Sequence, residues 1–470
     1  MANLVPRRSS PHTSPPKNVI VLVLDTVRGK ETVPARKTLT PTIARLADTG
    51  TEYQNAFADA PWSLPSHASL FTGTKPSTHQ TTGRKPRLNP ELTTVADVFA
   101  AAGYETVGIS NNTWVSEEFR FDSGFESFLH AWNIAKAPET DQGTLSKESQ
   151  GDQKDTRAEK TTTWITDWMA TRDDSRPYFL FANYIDAHLE YAPPEKYVTD
   201  ELPAEYSYEE ALQIPQDPRR HDIGETSISK DEFDVLRALY RGEITYLDAN
   251  IEKIVNELQT SGDWDDTIFV ITADHGENIG EHGFLGHQYN IYDTLLHIPL
   301  VITGGAFSAR TATNRLIQLS DLAPTLLDEV GIKAPSTRSQ FQGYSFHPGS
   351  NAPIREQIIS EYSAPQPSLD DLEQRFGSLA AQISHYGRSL CAIRTHEYKF
   401  IHASDGSQEL YEISDDQTES RDLIGQGLVI EDELATELRS QTAQKPPERD
   451  PFSSSISTES KERLRDLGYL

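Results

Sequence analysis

A hydroxyl set in a proline-broken turn opens the stretch Pro61-Trp-Ser-Leu-Pro-Ser-His-Ala-Ser-Leu-Phe-Thr-Gly73, which runs on into an apolar segment. An earlier apolar run, Asn18-Val-Ile-Val-Leu-Val-Leu-Asp25, ends in an acid. A later one, Thr267-Ile-Phe-Val-Ile-Thr-Ala-Asp274-His275-Gly276-Glu277, ends in an acid and an imidazole. Parallel-sheet proteins present ligands and nucleophiles at the carboxyl ends of their strands in this way. Each segment alone is only a strand with a polar end. Together they imply a metal site with a hydroxyl nucleophile, Ser63. Asp25 and Asp274 suit a hard divalent cation, because oxygen ligands favour calcium or magnesium.

These segments, taken in order, resemble the sulfatase family within the alkaline-phosphatase-like superfamily. Ser63-Leu64-Pro65-Ser66-His67, followed by Leu70-Phe71-Thr72-Gly73, is similar to the signature Cys/Ser-x-Pro-x-Arg with a later Thr-Gly. Ala273-Asp274-His275-Gly276-Glu277 and Gly280-Glu281-His282-Gly283 resemble the family's second metal segment. Tyr184-Ile185-Asp186-Ala187-His188, then Tyr191-Ala192-Pro193-Pro194, resembles its central histidine motif. Smaller echoes are His297-Ile298-Pro299-Leu300, Asp321-Leu322-Ala323-Pro324-Thr325, Arg394-Thr395, Tyr398-Lys399, Leu410-Tyr411-Glu412 and Leu467-Gly468-Tyr469. The resemblance spans residues 17 to 470 and points to acidic, haloarchaeal-type members.

The resemblance implies cleavage of sulfate esters of small molecules or saccharides. It implies one divalent cation held by Asp25, Ser63, Asp274 and His275, calcium first, with magnesium or manganese as alternatives. Ser63, His67, His188 and His287 are the implied catalytic set, His287 serving as general acid where many sulfatases carry a lysine. Glu277, His282 and Arg28 stand beside them with roles left open: within the site, supporting one of its ligands, or on the surface. In the family the signature Cys or Ser is oxidised to formylglycine, which for Ser63 requires a serine-type maturation enzyme. The alternative is a phosphodiesterase or phosphotransferase of the same superfamily using unmodified Ser63; the third reading is a non-catalytic binding protein. Where the family usually carries two acids, this chain has Asp25 and Thr26; where the signature has Arg, it has His67.

Composition narrows the partners. The chain has 71 acids against 43 bases, a net charge of −28. Such a surface repels nucleic acid and anionic membranes and suits a salt-rich cytoplasm, where a dense carboxylate shell keeps a protein soluble. One cysteine, Cys391, excludes an internal disulfide, and its apolar neighbours place it in a core. Residues 1–17 are rich in Pro, Ser and Arg without an apolar signal core, so a disordered tail and a cytoplasmic location are expected.

The elements that must position these residues alternate between apolar strand and amphipathic helix. Strands are expected at 18–25, 106–110, 178–184 and 267–273, and helices at 41–50, 66–71, 94–103, 161–170 and 231–259. The pattern predicts an α/β fold with a mainly parallel sheet flanked by helices over residues 18–345. Residues 346–470 read as a smaller antiparallel α+β subdomain with strands at 389–394, 397–402 and 409–413 and a terminal helix. Residues 136–160 and 195–232 read as polar surface insertions.

Overall fold

The computed structural model describes residues 17–34, 37–133, 157–198, 201–363, 365–442 and 456–467. The first apolar run forms β1 (Asn18–Leu24), buried along nearly its whole length. A strand covered on both faces needs such an unbroken apolar run rather than an alternating one. There follow β2 (Thr51–Phe57), β3 (Glu105–Ser110), β4 (Ser127–His130), β5 (Tyr178–Tyr184) and β6 (Thr267–Thr272). Next come β7 (Asn278–Ile279), β8 (Leu285–Gly286), β9 (His297–Ile298), β10 (Leu300–Thr303) and β11 (Thr311–Gln318). The main sheet runs β11-β2-β10-β6-β1-β5-β3-β4, with β9 joined to β2; β7 pairs only with β8.

From β6 to β4 the neighbouring strands are parallel. Strand β10 runs antiparallel to both β6 and β2, so the sheet is mixed but mostly parallel. Its register places Thr272, Val23, Asn183 and Ser110 side by side across β6, β1, β5 and β3. Directly paired residues project to one face. Two residues further along three of these strands stand Asp274, Asp25 and Asn112.

The helices differ from expectation mainly at their ends. The long helix spans Lys230–Ser261, opened by a Ser229–Glu232 capping box and closed by Gly262 in the left-handed region. The helix expected at 66–71 begins earlier, at Ser63, and ends at Thr72. Pro65 does not prevent this, because the first turn needs no amide donor. The helix expected at 161–170 extends over Arg157–Thr171. Most of the 136–160 insertion and the 1–17 tail lie outside the described residues. The 195–232 insertion carries two short helices, Tyr208–Ala211 and Pro218–Asp222. No helix among the described residues is long and apolar enough to cross a membrane.

The second sheet is antiparallel, in the order β12 (Ile358–Tyr362), β13 (Leu390–Arg394), β14 (Tyr398–Ala403) and β15 (Gln408–Glu412). Strand β12 was not expected. The helix Val429–Gln441 packs on this sheet through Leu434 and Leu438. Cys391 is half-buried in β13 and packs against the edge of this sheet's core. A buried ion cluster ties the second sheet to the short helix Asp293–Leu296: Lys399 Nζ lies 2.8 Å from Asp293 Oδ1 and 2.6 Å from Glu419 Oε1.

Candidate active site

The carboxyl ends of β1, β6 and β3 and the first turn of the helix Ser63–Thr72 meet on one face of the main sheet. Ser63 is the first helical residue, preceded by Trp62 in an extended conformation, and its side chain does not cap the helix. Its hydroxyl lies 3.2 Å from His275 Nε2. Asn112 Nδ2 donates to Ser63 Oγ at 2.9 Å and to Asp25 Oδ2 at 2.7 Å. Asp25, Ser63, His67, Asn112, Asp274, His275 and Glu277 are all fully buried.

Asn112 is absent from the sequence-based set. The available signal was the same strand-end device: the strand Glu105–Ser110 runs directly into Asn111-Asn112.

Asp25, Asp274 and His275 each offer a ligand atom within 4.8 Å of the others. Burial and the neighbouring Asp274 push Asp25 up to about 8, and burial pushes Asp274 up to about 7. Asp25 Oδ1 and Asp274 Oδ2 accept no hydrogen bond among the described residues. Two buried carboxylates at this separation cannot both ionise without a compensating charge. The donor set therefore fits a hard divalent cation. His275 is ready for it, since Nδ1–H donates to Gly276 O at 2.8 Å and leaves the Nε2 lone pair facing Ser63 and the acids.

Thr26, at the position of the family's second acid, turns away. Its hydroxyl donates to Ala187 O at 2.6 Å, and its backbone amide donates to Asp274 Oδ1 at 3.3 Å. Its φ of 61° is unusual for a β-branched residue.

His67 lies under the nucleophile. Its Nδ1–H donates to Ser63 O at 2.9 Å and lies 3.5 Å from Asp274 Oδ2. Burial pushes it down to about 3, which disfavours the cationic form. His287 Nδ1–H donates to Glu277 Oε1 at 2.9 Å. Burial, followed by His275, holds His287 well below the usual imidazole range, while burial raises Glu277 to about 7. The His287 ring is 4.6 Å from that of His275 and 5.1 Å from that of His188. His188, pushed down to about 3 chiefly by burial, donates Nδ1–H to Leu189 O at 2.7 Å.

Two of the open assignments lie elsewhere. Arg28 is neither a surface charge nor aimed at the nucleophile. It is buried, makes a two-pronged ion pair with Glu281 at 2.9 Å, and its Nε donates to Glu277 O. It braces the loop that carries Glu277. His282 is exposed and stacks on Tyr292 with centroids 3.7 Å apart.

Comparison with known proteins agrees with this geometry. A family profile described as "Sulfatase" matches residues 17–332, and one described as "N-sulphoglucosamine sulphohydrolase, C-terminal" matches residues 280–445. The chain is 24% identical to the "Arylsulfatase K" of Bos taurus, over 90% of this chain and 81% of that one. A solved protein in complex with its substrate D-glucosamine-2-N,6-O-disulfate shares the fold at a TM-score of 0.69 and 19% identity, over 91% of this chain and 98% of its own. The phosphonate monoester hydrolase of Agrobacterium radiobacter does so at 0.68 and 20% identity, over 91% and 96%.

Proposed function

Since this chain belongs to the sulfatase family, we propose that it hydrolyses sulfate esters of small molecules or saccharides with position 63 as nucleophile. The observation that carries this reading is the Ser63 hydroxyl 3.2 Å from His275 Nε2, above two buried acids. Asp25, Asp274, His275 and Ser63 are the residues to hold the cation. Calcium is the ion we assign, with magnesium or manganese as alternatives. When bound, the cation offsets the charge of the tetrahedral anion and favours an ionised nucleophile.

The remaining steps belong to side chains. Asn112 fixes Ser63 Oγ and Asp25 with one amide, so nucleophile and ligand keep a constant separation. Neutral His287, its Nδ1–H held by Glu277, presents Nε2 as a proton acceptor. It takes the proton of the attacking hydroxyl, becomes an imidazolium beside the Glu277 carboxylate, and then protonates the departing alcohol oxygen, which leaves the sulfuryl group on position 63; the second hydroxyl of the formylglycine hydrate then loses its proton and expels sulfate, and water restores the hydrate. The general-acid role expected of His287 is thus the second half of its cycle. His188 lies beside this path and contacts the sulfate group. His67, being neutral, holds the turn of Ser63 rather than binding an anion.

In this reading position 63 is matured to formylglycine by a serine-directed enzyme. A second reading draws on the neutral His67 in place of the signature's arginine: Ser63 stays serine and the enzyme transfers phosphoryl groups. One experiment separates them. The peptide containing position 63, taken from the native host, is weighed, and the same preparation is assayed on an aryl sulfate and on a phosphodiester. Formylglycine with aryl sulfate turnover supports the first reading. Unmodified serine with preference for the phosphodiester replaces it with the second.

A further inference from the structure

Four donors, Asp25, Asp274, His275 and Ser63, are few for a hard cation that takes six or more ligands. Thr26 does not make up the number, since its hydroxyl is committed to Ala187 O. Another buried oxygen on the same face is uncommitted. Asn183 is fully buried at the end of β5, and neither Nδ2 nor Oδ1 makes a hydrogen bond among the described residues.

Leaving a buried polar group unpaired is destabilising, so a fully orphaned amide in a strand core calls for a reason. Its place supplies one. Asn183 pairs directly with Val23 of β1 and with Ser110 of β3. It therefore projects from the face on which Asp25 and Asn112, two residues further along those strands, meet. No hydrogen bond of normal geometry joins its amide to Asp25 among the described residues. Both ends of this amide and Asp25 Oδ1 are thus without a hydrogen-bond partner among the described residues.

We propose that Asn183 is a further ligand of the cation site, its amide oxygen standing in for the second acid that Thr26 replaces. The inference rests on the cation site proposed above. Asparagine oxygen is a normal ligand for calcium and, unlike a third carboxylate, adds no charge to a floor that already holds two buried acids.

Calorimetric titration of the chelated protein with calcium or magnesium alone tests this. N183A is expected to weaken cation affinity by about tenfold or more, while the melting temperature of the chelated protein is unchanged or raised. N183D, which keeps an oxygen at the same reach, is expected to bind at least as well as the native protein. Unchanged affinity in N183A overturns the proposal, as does a lowered melting temperature in the chelated state with affinity intact, which marks a packing role. If N183A does not fold, lost affinity in N183D overturns it. Failure of the native protein to bind either ion overturns the cation site itself, an outcome distinct from a failure of Asn183.

Discussion

His287 donates its Nδ1 proton to the carboxylate of Glu277 at 2.9 Å, and both side chains are buried. The bond sets the tautomer. It leaves Nε2 as the lone-pair side and prepares a counter-charge for the imidazolium that forms when a proton arrives. His287→Ala is expected to lower kcat by about two to four decades. The loss should be smallest for esters with good leaving groups, which need little protonation. Glu277→Gln retains an oxygen acceptor for Nδ1–H and should lose less than Glu277→Ala. Steady-state rates on a series of aryl esters check this; equal losses across the series would remove His287 from the leaving-group step.

Ser63 has a simpler expectation. Removing a nucleophile costs roughly six decades of turnover, so Ser63→Ala should be inert on sulfate and phosphate esters alike. Stability should change by about 1 kcal/mol or less, because Asn112 keeps its bond to Asp25 and the serine side chain does not cap its helix. Denaturant unfolding and single-turnover assays on the same preparation give both numbers. Near-native rates on either ester would falsify the mechanism.

Part of this site was legible in the chain and part was not, for a definite reason. Asp25, Ser63, Asp274 and His275 each sit at the edge of an apolar run or a turn, where local pattern marks them. Asn112 and Asn183 do not stand out, because a single asparagine just past a strand, like Asn112, or inside one, like Asn183, makes no local pattern. They matter only because β6, β1, β5 and β3 are neighbours in that order, which local periodicity does not encode. Strand β10 escaped notice for a related reason. Four residues before a Gly-Gly turn are too few to show a period, and its antiparallel place between β6 and β2 is a long-range fact. The charge state of His67 and the placement of Arg28 were equally out of reach. Burial decides both: it leaves one neutral under the nucleophile and pairs the other with Glu281.

The acidic surface predicts salt dependence. A net charge of −28 is self-repelling in dilute buffer, and screening shortens the range of that repulsion from roughly 30 Å at 0.01 M to about 3 Å at 1 M salt. The melting temperature is expected to rise between those limits. Potassium chloride in place of a stabilising sulfate salt isolates the screening effect. A flat melting temperature across the range removes the halophilic reading.

The two buried acids set the pH behaviour of the cation site. Asp25 is raised to about 8 and Asp274 to about 7 without a cation, against about 4 in an unfolded chain. A raised carboxyl binds its proton more tightly in the folded state. Its stabilising contribution is therefore complete below about pH 4 and is lost as pH rises toward 7 and 8. A cation reverses this, because it needs both carboxylates ionised and must displace their protons at lower pH. The rise in melting temperature on adding calcium should accordingly be small near pH 5 and grow through pH 8, while the chelated protein loses the contribution of these two acids over the same interval. Asp25→Asn removes one of the two protons displaced, so the calcium shift should become smaller and less steep in pH. Differential scanning calorimetry of native and variant proteins, chelated and calcium-loaded, measures all four curves. A calcium shift that is the same at pH 5 and pH 8 would mean that the ion binds without these carboxylates.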